Sequence, residues 1–511
     1  MKLRELNILL FAAFAFFMLA IRNGDVLYTL SEQSLFVPGR MFWEEIGGLG
    51  GSVEWTACFL TQFLHLPWLG AMLFIVLWSA IYYGVVRSFS LRGAWTLLAL
   101  CPPAVLLCLL ISQGYHVYYP ERQGTAFVPT LLTLISVAVL LLLCFFVRIF
   151  VLKKKASQSR EQLPSKKHGR ACAVVCFVLF WAALVGVTFH YDYDDANYHH
   201  ELRMARAVDE CRWNDVLAEF PALRQEDDVP RPTNLMVVFK NIALQHTGRI
   251  TDMFATGNCG TLPTVRDSLT VHLSQQAAPM IYYQVGLFNF AYRWAMENSV
   301  RYGLTFANLK MMVRCAIWNG ERELAEKYLN LLRTSLFHRE WAAERIGWMN
   351  DAGRFQAHPE YQAIVPLLGD DANVLDFDNG LCEKFILDHF SSLRTERPSL
   401  EDFALCVSLW TESVADFAQQ LSLWLGHHPG HLPILYQEAA LLISQMEGAP
   451  DWLLQLNYDN AVKERYQRFL AESYALRNRG LSEHDMAAQL RPTYGDTYWW
   501  YYYFYTDFNI Y

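Results

Sequence analysis

Five apolar stretches dominate the first 190 residues, and they run over 7–21, 69–86, 94–112, 127–147 and 171–189. A helix crossing the hydrocarbon core of a bilayer needs about 20 residues. Inside lipid, every backbone polar group must find its partner within the segment, so stretches like these fold as helices. The first is the shortest and follows Lys2 and Arg4, which admits a signal-peptide reading. No small-x-small cleavage pattern follows it, so an uncleaved anchor is expected.

Between the fourth and fifth stretches lies a short basic loop, KKKASQSREQLPSKKHGR. Over 148–170 the net charge is +7, whereas residues 1–147 are neutral and residues 190–511 carry −15. Clustered Lys and Arg beside membrane spans stay on the cytoplasmic side. With the N-terminus inside, Arg87 and Arg92 also fall in a cytoplasmic turn, while 22–55, richer in acidic than basic groups, falls outside. Every short loop agrees with one orientation. The expectation is therefore a multi-pass bundle over 1–189 in a cytoplasmic membrane. The N-terminus is then cytoplasmic and residues 190–511 are extracytoplasmic, in the periplasm.

An acidic distal region excludes nucleic acid as a natural partner, since that polymer selects basic faces. The 11 cysteines follow no CxxC or Cys/His metal spacing. Cys101, Cys108, Cys144, Cys172 and Cys176 lie in apolar stretches, where a thiol behaves as a small hydrophobe. Cys211, Cys259, Cys315, Cys382 and Cys406 are widely spaced and are expected to be reduced and mostly buried.

Two irregularities interrupt the apolar pattern. Pro102 and Pro103 are expected to kink the third span. The segment 53–66 is apolar but too short to cross, and it ends at Pro67, which suits a re-entrant or interfacial helix. The residues EQSLF at 32–36, Gly47-Gly48, FLTQF at 59–63 and PWLG at 67–70 together resemble an uncharacterised family of bacterial polytopic inner-membrane proteins. That resemblance implies a few N-terminal spans joined to a C-terminal helical-repeat domain. It implies no activity and no catalytic residues.

Beyond residue 190 the pattern is amphipathic helix, tight turn, amphipathic helix. The clearest unit runs from Leu309 to Phe337, with Gly320 at the turn and Ala325 at a close-contact position, as in tetratricopeptide-like pairs. Tyr282, Val285, Gly286 and Asn289 carry the spacing of another first helix. Further pairs are expected over 197–220, broken near Arg212–Asn214, and from Thr233 to a turn at Gly248. Residues 401–425 and 432–447 form another, and 459–478 resumes after Gly480. The fold class read from the sequence is thus all-α: an N-terminal transmembrane helical bundle of about five spans plus a C-terminal tetratricopeptide-like α-helical repeat domain over 190–511.

Candidate chemistry is sparse. His190, Asp192, Asp194, Asp195, His199 and His200 cluster after the fifth stretch, where Asp195 and His199 would share a helix face. His427, His428 and His431 flank a Pro-Gly turn, and GDDANVLDFDNG at 369–380 lacks the ligand order of a calcium loop. Ordinary caps and polar turns account for these groups, so no catalytic, cofactor or metal residue is assigned and no cofactor is expected. The aromatic tail TYWWYYYFY is read as a core cap or as a partner surface. A scaffold or adaptor for protein partners in cell-envelope assembly or export is the expected function, rather than an enzyme. The alternative is a membrane glycosyltransferase-like enzyme using a lipid-linked sugar: Asp25, Glu44 and Glu45 make the first external loop acidic, and Glu44 or Glu45 would be its carboxylate. A transporter is disfavoured, because no span carries a central charge.

Overall fold

The computed structural model describes residues 3–39, 51–117, 128–155, 168–193, 195–220, 232–254, 268–368 and 398–504. Among these residues the chain is helical throughout, with no strand. Five helices are long and apolar enough to cross a membrane: Leu3–Arg22, Pro67–Ser88, Gly93–Ile111, Val128–Arg148 and Val174–Tyr191. These are the five stretches read from the sequence. The described residues form two compact units.

Unit 1 comprises Met1–Leu202, Glu297–Val313 and Glu323–Ile346, so it includes segments far along the chain from the fifth apolar helix. Pro67–Ser88 is central: Phe74, Trp78, Ile81 and Tyr82 are fully buried on it, and Trp78 meets Phe11 and Phe74. Of its apolar window 44% is buried, against 11% in Val174–Tyr191. The exposed face of Val174–Tyr191 is nonetheless apolar, with Val174, Val175, Val178 and Leu179 outward. An apolar face of that extent suits a lipid neighbour, not water.

Hydrogen bonds between helix ends show how the five run. Asn7 Nδ2 donates to Thr96 Oγ1 at 2.9 Å, and Tyr82 OH donates to Arg4 O at 2.9 Å. These join the starts of the first and third helices and the end of the second. At the other end Tyr193 N donates to Ile111 O at 3.3 Å, Arg22 pairs with Asp192, and Thr61 Oγ1 donates to Thr130 Oγ1 at 3.0 Å. Odd-numbered helices therefore run one way and even-numbered helices the other.

The third apolar helix departs from expectation. Gly93–Leu100 is a 3-10 turn series, and the α-helix begins at Cys101, with the two prolines in its first turn. Proline fits there because its missing N–H would have no intrahelical partner anyway. The prolines thus start a helix instead of kinking one. The short segment before the second span forms the α-helix Gly51–Thr61 and a 3-10 turn, Gln62–His65. Gly114 is required twice over: its φ is +53°, and a Cβ there would lie 2.5 Å from the Tyr193 ring.

Unit 2 comprises Arg203–Met296, Arg314–Arg322 and Gly347–Tyr511. Its helices end where the sequence places turns. Thr233 caps Asn234–His246 by accepting from Met236 N, and Gly248, Gly320 and Gly480 all take positive φ. Two boundaries differ from the sequence reading. Gly286, expected inside a helix, has φ +81° and separates Ser268–Gln284 from Phe288–Tyr302. Residues 401–425, expected as one helix, are broken between Pro398–Trp410 and Val414–His427, where Glu412 has φ +56°. No glycine or proline marks that break, so propensity missed it.

The first half of the aromatic tail belongs to the unit 2 core, whereas Tyr503 is exposed. Tyr498, Trp499, Trp500 and Tyr501 are buried, and Tyr501 OH donates to Trp410 O at 2.7 Å. Burying each such side chain stabilises by about 2 kcal/mol. Residues 505–511 lie outside the described residues.

Candidate functional site

The histidine and aspartate cluster after the fifth apolar helix does not form the pair its spacing suggested. Asp195 Oδ1 accepts from Asn197 N at 2.9 Å, an ordinary helix-start contact. His199 Nδ1 instead lies 3.0 Å from Asp25 Oδ2, and Asp192 takes Arg22 and Asn23. His190 packs edge-on against Tyr191. Asp194, Glu44, Glu45 and the 369–380 segment lie outside the described residues.

In unit 2, the histidines around the Pro-Gly turn divide between two carboxylates. His427 Nδ1 is 2.5 Å from Glu401 Oε1, and His428 stacks on Trp424 at 4.3 Å. His431 Nε2 is 3.1 Å from Asp459 Oδ2. Cys58, Cys144, Cys315 and Cys406 are buried and form no disulfide.

The site with the richest chemistry joins residues that no local spacing connects. Glu32 ends the helix Gly24–Glu32, and His65 ends the 3-10 turn before the second span. Lys310 lies in the helix Phe306–Trp318, and His338 immediately precedes Arg339–Asn350. All four belong to unit 1. Backbone and side-chain bonds hold the segments together. Phe306 N donates to Ser34 O at 2.9 Å. Gln62 Oε1 accepts from Ser335 Oγ at 3.1 Å and from Leu336 N at 3.3 Å.

Glu32 sits at the centre. Lys310 Nζ is 2.7 Å from its Oε2, while His65 Nδ1 is 3.2 Å and His338 Nε2 3.6 Å from its Oε1. Aromatic rings wall the cluster: Tyr28 and Phe337 pack on His65, and Phe306 packs on His338 at 4.2 Å. Glu32, Lys310 and His338 are buried, and His65 is partly so. Burial by itself would raise the Glu32 carboxyl. Lys310, His338 and His65 outweigh it and hold the group well below the usual carboxylate range. The carboxylate is thus ionised, and among the described residues Glu32, His65 and His338 are the one group of donors able to hold a metal ion.

Sequence reasoning passed over this cluster. Glu32 and Gln62 lie in the EQSLF and FLTQF segments that carry the family resemblance, but nothing local points either towards Lys310 or His338. The usable signal was polar: Gln62 and His65 stand in a short apolar segment where a lipid-facing helix would carry neither.

A second buried ion cluster lies in unit 2. Arg314 reaches Asp209 Oδ1 at 2.5 Å and Glu360 Oε1 at 3.1 Å, and Tyr283 OH donates to Glu360. Trp318 Nε1 donates to Tyr283 OH at 2.9 Å.

The model of a family of unknown function, DUF6057, matches residues 1–120 and 107–505. No curated protein and no solved structure matches the chain.

Proposed function

The chain belongs to the DUF6057 family, and we propose that it is a membrane-anchored scaffold in a bacterial inner membrane. In this reading the N-terminus and the basic loop at 148–170 are cytoplasmic, and the distal tetratricopeptide-like helices face the periplasm. They offer a surface for protein partners in envelope assembly or export. The supporting observation is the alternation of five apolar helices. An odd number of crossings carries everything after Tyr191 to the side opposite the N-terminus. The basic loop then supplies the sign. Paired helices joined at tight glycine turns present broad, ridged faces suited to a protein partner.

Unit 2 exposes large apolar side chains at Ile434, Leu454 and Tyr474, each about 60% exposed. A photo-crosslinking residue placed at each of these in the full-length chain, in cells, tests the scaffold reading. The expected result is one recurrent protein adduct at these positions and none at the exposed Lys463. Equal labelling at all four positions, or none at any, contradicts it.

A further inference from the structure

We propose that Glu32, His65 and His338 bind a divalent first-row transition ion of the zinc class, with Lys310 orienting the carboxylate ligand. This site is independent of the scaffold reading, because it rests on the geometry of unit 1 alone.

Two imidazole nitrogens converge on one carboxylate oxygen from different segments. His65 Nδ1 is within hydrogen-bond reach of Glu32 Oε1, but His338 Nε2, at 3.6 Å, is beyond it. The contact is therefore poor as a hydrogen bond. It is good as a ligand spacing: with metal–donor bonds of about 2.0–2.1 Å, two ligands of one tetrahedral ion stand about 3.3 Å apart. The three donor atoms all lie within 4.8 Å of one another, and the two rings meet near-perpendicular with centroids 5.2 Å apart. Closing the set around an ion brings donors now within 4.8 Å of one another to about 3.3 Å.

The donor chemistry selects the ion. Two imidazoles and one carboxylate suit zinc and its first-row neighbours, whereas calcium and magnesium require oxygen ligands. Lys310 fits this role rather than opposing it. Its ammonium occupies Oε2 and leaves Oε1 for the ion, and ligating carboxylates are commonly fixed by such an outer hydrogen bond. Tyr28, Phe306 and Phe337 exclude bulk water from the imidazoles, which strengthens metal binding at the centre. Three protein ligands leave a fourth position for water or an exogenous group.

The ion would join three segments distant in sequence: the first inter-span segment, the short helix before the second span, and the segment preceding Arg339–Asn350. Both sequence ranges involved, 24–66 and 323–346, lie an odd number of crossings from the N-terminus, so one compartment supplies the metal to all of the ligands.

The test uses the full-length chain in detergent, stripped with chelator, reloaded with zinc sulfate alone and desalted. Wild type is expected to retain about one zinc per chain by mass spectrometry. His65→Gln and His338→Gln should each weaken retention at least tenfold, while His428→Gln in unit 2 should match wild type. Cobalt loading of wild type should give the visible absorption of a four-coordinate site, and magnesium should not displace it. Wild type that retains no zinc above the buffer, or histidine variants that bind zinc as wild type does, overturns the proposal. If both variants fail to fold, the cobalt spectrum of wild type decides alone: its absence refutes the site.

Discussion

In unit 2, Arg314 is buried between two carboxylates and also donates to Asp209 O, so its charge is met by anionic and carbonyl oxygens. In unit 1, Glu32 has a single buried ammonium and two imidazoles that crowd one oxygen without both bonding to it. The first arrangement sets one cation against two carboxylates, with no imidazole among them, and reads as architecture. The second adds two imidazoles to an ion pair, and imidazole nitrogens beside a carboxylate oxygen offer the lone pairs that a transition-metal cation requires. Buried charge alone therefore does not mark a functional site; imidazole and carboxylate lone pairs converging on one point do.

The contrast breaks most readily at Arg314. Arg314→Met leaves the buried Glu360 and the part-buried Asp209 without their cation and should cost about 3–5 kcal/mol. Thermal unfolding of the purified chain checks this, and zinc should not recover the loss. Lys310→Met in the metal-stripped protein should cost about 3 kcal/mol for the same reason. Here saturating zinc should recover most of the loss, because the ion replaces the missing positive charge. Equal zinc responses in the two variants would erase the distinction between the clusters.

Titration separates the units as well. Glu438 in unit 2 is buried and accepts from Tyr498 N at 2.9 Å. Burial raises its carboxyl to about 8. The unfolded chain releases that proton at the ordinary carboxylate value, so above that value the folded state holds more protons until pH about 8. Stability contributed by this group is full below the ordinary value and falls as pH rises through the window. Glu438→Gln keeps an acceptor for Tyr498 and should flatten that decline, a difference of about 4 kcal/mol at pH 8 in denaturation profiles. Glu32 has the opposite sign: its lowered carboxyl stabilises above the ordinary range and loses that contribution as acid protonates it.

The smallest effect concerns Asn241. It is buried beside Val238, Ile242, Ile281, Phe403 and Trp410, and neither atom of its amide has a partner among the described residues. Asn241→Leu should raise stability by about 1 kcal/mol. A measured loss instead would place a polar partner or a bound water in that cavity.

Much of the architecture was legible because it is written locally. Apolar runs of span length are visible one at a time, and Thr233, Gly248, Gly320 and Gly480 announce helix ends by chemistry that acts within four residues. The break at Glu412 was not legible, since an ordinary residue was forced to positive φ by packing. Pro102 and Pro103 misled for a related reason: the same residues kink a helix or start one, and only the preceding 3-10 segment decides. The metal-ligand cluster was invisible. Its members stand at 32, 65, 310 and 338, and only folding brings them together. Asp195 and His199 had attractive local spacing and went to separate partners.

Sidedness underlies both the scaffold reading and the common compartment of the metal ligands. A membrane-impermeant maleimide applied to intact spheroplasts measures it, with single cysteines at Glu464 in unit 2 and at Ser159 in the basic loop. The 11 native cysteines are first replaced by alanine. Labelling at 464 before lysis, and at 159 only after it, is the predicted result. The reverse pattern, or labelling of both positions on the same side, would contradict the account.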